Sequence, residues 1–117
     1  MSEIKRIETD TRRSRAVVFN SVIYVGGMTA DDRNLDIGGQ TEQALARVEA
    51  FLAQAGTDKS RLLTAQIWLK DIKRDFDGMN AVWNAWTAPD CAPTRATCQC
   101  ELGAEDILVE IIVTAAA

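Results

Sequence analysis

Apolar and polar positions alternate with a period of two over much of this chain, and a helical period interrupts them twice. Ile4 to Glu8 alternates imperfectly and predicts an edge strand. Beyond a polar turn at Asp10 to Arg13, the runs Arg15 to Asn20 and Val22 to Gly27 are rich in β-branched and aromatic residues around Asn20-Ser21, the pattern of a hairpin. Gly26 and Gly27 end its second strand, where the missing side chains serve a turn or let the backbone approach a ligand closely. Asp31 to Gly38 is polar and predicts a surface loop. From Gly39 to Ala55, the positions Leu45, Val48, Leu52 and Ala55 keep helical spacing, and Gly56 supplies the stop. Arg61 to Leu69 predicts a mostly apolar strand, and Asp71 and Asp75 bracket a short connection. A second helix runs from Phe76 to Trp86 with Phe76, Met79, Trp83 and Trp86 on its core face and Asn80 on the opposite side. Pro89 and Pro93 mark a loop, because a residue before proline is pushed out of the helical region. Pro93 to Leu102 and Ile107 to Val113 predict the last two strands, read as neighbours.

This order predicts one α+β domain over residues 1–117, a sandwich with two helices on one face of a mostly antiparallel or mixed sheet. Side chains alternate along strands, which puts Arg95, Thr97, Gln99 and Glu101 on one face and Ala96, Cys98, Cys100 and Leu102 on the other. The small apolar set suits the helix-covered core, so Cys98 and Cys100 are expected as buried packing residues. In the last strand Ile107, Val109, Ile111 and Val113 face one way and Leu108, Glu110, Ile112 and Thr114 the other. Both faces are apolar, so the helix-free face predicts a cover, and in a chain of 117 residues a second subunit is its natural source. A carboxylate on such a face is costly unless partnered, and Arg95 is the expected partner of Glu110. The two form either a structural ion pair or a small-anion site with a water-activating carboxylate.

Composition narrows the chemistry. A formal charge of −4 argues against a nucleic-acid surface. The five basic residues among the first fifteen are interleaved with Glu3, Glu8 and Asp10, the mark of a solvated edge. No histidine is present, so no Ser-His or Cys-His machine is available, and the three cysteines have no metal-binding spacing. No metal or cofactor is expected, and no phosphate-loop motif occurs. Lacking any run of about 18 apolar residues, the chain is expected in the cytoplasm.

The runs Asn80-Ala-Val-Trp-Asn-Ala-Trp, Ala92-Pro-Thr-Arg-Ala-Thr97 and Leu108-Val-Glu-Ile111 resemble the RidA/YjgF family of enamine/imine deaminases. The likeness spans nearly the whole chain, and the Pro-x-Arg segment followed fifteen residues later by Glu is its most specific part. It implies a chorismate-mutase-like fold and a homotrimer enclosing a sheet-lined barrel, with ligand sites between subunits. The implied activity is cofactor-independent hydrolysis of 2-aminoacrylate/2-iminopropanoate-type substrates to a 2-oxo acid and ammonia. By that resemblance Arg95 would hold the substrate carboxylate and Glu110 would position the attacking water. Asn80, Thr97, Gly26 and Gly27 would line the cleft.

Two positions depart from the family pattern. Arg13 stands where many members have a tyrosine, and Met28 follows Gly27 where many have glutamine. An arginine at residue 13 suits a dicarboxylate-derived imine if it enters the cleft. An alternative reading is a non-catalytic trimer that binds small carboxylates such as 2-oxo acids.

Overall fold

Runs of β-branched and aromatic residues become six strands: β1 (Lys5–Thr9), β2 (Ser14–Phe19), β3 (Val22–Met28), β4 (Leu62–Leu69), β5 (Thr94–Gln99) and β6 (Val109–Ala116). A computed structural model describes residues 3–117 and joins these strands in one sheet, ordered β1-β2-β3-β6-β4-β5. All pairings are antiparallel except β4 with β5. Two helices, α1 (Ile37–Gln54) and α2 (Ile72–Trp86), cover one face. No helix among the described residues is long and apolar enough to cross a membrane.

Both helices begin earlier than their apolar spacing suggests, because aspartates cap them. Asp36 Oδ1 accepts from the Gly39 N–H at 2.9 Å, and Asp71 Oδ1 from the Arg74 N–H at 3.1 Å. Each satisfies a donor that the helix itself leaves free, an effect of about 1 kcal/mol. The expected connection at Asp71 to Asp75 is therefore the first turn of α2. On the core face of α2, Met79 and Trp83 are buried, but Phe76 is exposed.

The core lies between helices and sheet. Ala44, Leu45, Val48, Phe51 and Leu52 of α1 join one cluster with Ile23, Val25, Ile67, Ile111 and Val113 from the central strands. In β6 the alternation is strict: Val109, Ile111, Val113 and Ala115 are buried under the helices, and Glu110, Ile112 and Thr114 point to the open face.

Two expectations about the last strands are corrected. β5 and β6 are not neighbours, since β4 lies between them. Parallel strands need a crossover, and α2 is the one linking β4 to β5; it carries β5 to the sheet edge before the chain returns to the centre as β6. The faces of β5 are also reversed. Arg95 is level with Ala65 and Thr97 with Ile67, both buried on the helix side, so Arg95 and Thr97 face the helices. Cys98 is level with Trp68, which pairs with Glu110, so it belongs to the open face and is exposed. Small residues sit on the open side because a long arginine finds its place under the rim of α2, where an aromatic ring accommodates it.

Gln40 ties the helix layer to the loops around it. Its buried Nε2 donates to the carbonyls of Arg33, Leu35 and Asp106 at 3.0–3.2 Å, and its Oε1 accepts from the Leu108 N–H at 3.0 Å. Gln40→Ala strands these four backbone groups and should cost about 2–4 kcal/mol in urea unfolding at fixed protein concentration. A loss below about 0.5 kcal/mol, the range of an ordinary surface change, contradicts this role.

Candidate functional site

The expected site residues fall into two groups on opposite faces of the sheet. Arg95 and Glu110 are separated by β4, with their rows offset by the pairs Ala65↔Arg95 and Trp68↔Glu110. Strand spacings place their Cα atoms about 14 Å apart, with side chains directed to different sides. They cannot form the expected ion pair within one chain.

The first group lies between α2 and β5. The Arg95 guanidinium stacks over Trp83, 5.6 Å from the ring centroid, a cation–π contact. Arg95 makes no salt bridge among the described residues. Burial lowers its pKa from the ordinary guanidinium value, and it remains a cation at neutral pH. Asn80 is on the α2 surface that also carries Trp83, not on the opposite side, and its buried Oδ1 has no hydrogen-bond partner. Thr97, next on the same row of β5 as Arg95, has a buried Oγ1 without a partner. An uncommitted cation and two unpartnered polar atoms make an incomplete polar cluster, since buried polar groups are ordinarily satisfied.

The second group surrounds Glu110. Between the pairs Val25↔Val113 and Met28↔Ile111 the register shifts by one residue, a bulge at Gly26-Gly27. A Cβ on Gly27 would lie 1.9 Å from Glu110 Oε2, so the glycine makes the room in which the carboxylate rests. Gly26 is under no such demand, its nearest neighbour for a Cβ being the Arg15 carbonyl at 3.4 Å. Glu110 and Gly27 line a cavity of about 480 Å³ together with Arg13, Arg15, Arg33 and Arg47.

Arg13 reaches this cavity from a tight turn. Asp10 Oδ1 accepts from the N–H groups of Arg12 at 2.7 Å and Arg13 at 2.9 Å, and these bonds hold the Asp10 carboxyl below its ordinary 3.8. A lowered carboxyl pKa supports the fold above the ordinary value and loses that support as pH falls through the folded value. The turn presenting Arg13 is thus intact at neutral pH. Arg15, Arg33 and Arg47 escaped the sequence reading as site residues, because a strand, a loop and a helix deliver them separately. Among the described residues, no three His, Cys, Asp or Glu side chains converge as a metal site.

Residues 3–117 match the model of the family described as Endoribonuclease L-PSP. The chain is 38% identical over 113 residues to the RutC family protein YoaB of Escherichia coli K12, covering 97% of both chains. It is 37% identical over 113 residues to a RutC family protein of Haemophilus ducreyi, covering 97% of this chain and 96% of that one. The fold superposes with a TM-score of 0.94 on NMB1025, a member of the YjgF protein family from Neisseria meningitidis, at 36% identity and covering 97% of this chain and 94% of that one.

The contact between Gly27 and Glu110 is open to a double-mutant cycle. Gly27→Ala should destabilise the protein by about 1–3 kcal/mol, and in a Glu110→Ala background most of that cost should vanish. Equal costs in both backgrounds, measured by urea unfolding at one protein concentration, contradict the contact.

Proposed function

The chain belongs to the Endoribonuclease L-PSP family, to which the RutC and RidA/YjgF proteins belong, and we propose that it hydrolyses reactive 2-imino and 2-enamino acids to 2-oxo acids and ammonia. The observation that carries this reading is the uncommitted Arg95, stacked on Trp83, with the unpartnered Thr97 Oγ1 on its own strand and Asn80 Oδ1 on the helix that carries Trp83. A planar guanidinium held in this way fits a substrate carboxylate through two parallel hydrogen bonds.

The proposed site is completed by a second copy of the chain. Arg95 and Glu110 cannot serve one small ligand from opposite faces of the same sheet. The open face carries Tyr24, 49% exposed, and the half-buried Trp68 and Ile112, a surface suited to association. In a homotrimer built on this face, Arg95, Asn80 and Thr97 of one copy meet Gly27 and Glu110 of the next.

Catalysis then needs little equipment. With its carboxylate on Arg95, the protonated imine presents an electrophilic carbon to a water held by Glu110, which accepts a proton as the water attacks. The new C–O bond forms, Glu110 returns its proton to the nitrogen, and as the C–N bond breaks the hydroxyl proton passes through Glu110 to the departing ammonia, which leaves as ammonium. No cofactor takes part, and the cytoplasm is the proposed setting. RNA cleavage, which the family's description names, has no support in a chain of formal charge −4 without histidine.

To test the reaction, a 2-imino acid is generated in situ from alanine with an amino-acid oxidase, and its loss is followed by semicarbazide trapping. The protein should accelerate that loss, and Arg95→Ala should lower kcat/KM about 100-fold. Full activity in Arg95→Ala contradicts the assignment, and binding of 2-oxo acids without turnover of any imine assigns the chain instead as a carboxylate binder.

A further inference from the structure

Four of the nine arginines of this acidic chain line a cavity that also holds Glu110. Bringing like charges together is unfavourable unless an anion lies among them. Carboxylates of the chain, Glu110 in the cavity itself among them, meet part of this demand. Arg33 Nη1 lies 3.3 Å from Asp106 Oδ1, and Arg47 Nη1 donates to the Thr29 carbonyl at 3.0 Å with Asp31 Oδ1 at 3.8 Å. Arg13 and Arg15 have no salt bridge among the described residues. The backbone at Arg13 is held by the Asp10 turn, which directs this residue to the cavity rim.

A monocarboxylate substrate leaves this charge unused, since its only anionic group lies on Arg95. We infer that the site takes 2-imino dicarboxylates, with the α-carboxylate on Arg95 of one copy and the side-chain carboxylate in the cavity lined by Arg13 and Arg15 of the next. This rests on the reaction proposed above and names its substrate class. Two anchors at opposite ends of the substrate hold the imine carbon between them, beside Glu110. Water adds its oxygen to that carbon, the C–N bond breaks, and the products are ammonium and a 2-oxo dicarboxylate. A reaction supplying this substrate must oxidise or eliminate at an amino dicarboxylate.

The test compares imines generated by amino-acid oxidases from glutamate and from alanine. The glutamate-derived imine should show a kcat/KM about tenfold or more above the alanine-derived one, and Arg13→Gln with Arg15→Gln should abolish that ratio. Equal kcat/KM for the two imines, or a ratio unchanged in the variant, overturns the inference while leaving the proposed reaction in place. Should neither imine be turned over, the reaction fails, and calorimetry decides the inference separately. There 2-oxoglutarate should bind about tenfold more tightly than 2-oxobutanoate, with the advantage lost in the variant, and equal affinities overturn it. Arg13→Gln alone, on an exposed turn, serves if the double variant does not fold.

Discussion

A β-strand sends successive side chains to opposite faces, and in this sheet that alternation separates the two charged groups on which the proposed chemistry turns. Val109, Ile111 and Val113 must lie under the helices to build the core, so Glu110 must lie on the open face. Arg95 shares its level with Ala65 and so lies on the helix face. A register slip in β6 would reverse its whole side-chain set and expose Val109, Ile111 and Val113, which ties the position of Glu110 to the stability of the core.

Each charge is held by its own neighbourhood. Beneath α2, Trp83 is buried and offers Arg95 its ring, and the caps at Asp71 and Asp36 fix where the two helices start. Around Glu110, the bulge at Gly26-Gly27 makes room for the carboxylate, and Gln40 braces the loops that contain Arg33 and Asp106. One cluster therefore lacks a carboxylate and the other is rich in guanidinium groups. Their separation within the chain makes association of copies part of the proposed function.

Much of the architecture was legible in hydrophobic periodicity. The strands, both helices and the two-layer arrangement follow from spacing, and Asp36 and Asp71, each just before an apolar helical residue, were available signals for the true helix starts. Strand order was not legible, because periodicity within a strand carries no information about its neighbours; pairing β5 with β6 overlooked the parallel crossover through α2. The faces of β5 were misread because Ala96, Cys98 and Cys100 are small enough for a core, whereas a strand edge under an aromatic helix rim receives an arginine equally well. Arg95, Glu110 and Gly27 were found as residues, but their grouping depended on strand order. The gathering of Arg15, Arg33 and Arg47 around Arg13 depended on contacts far apart in sequence.

The central claim is that each site draws Arg95 from one copy and Glu110 from the next. Arg95→Ala and Glu110→Gln proteins, each expected to be strongly impaired alone, can be mixed, dissociated and reassembled in equal amounts. Random assembly then restores intact sites at about a quarter of the total, and imine hydrolysis should return to about that fraction of the unmutated protein's rate. Mixed assemblies that form and remain inactive contradict the claim.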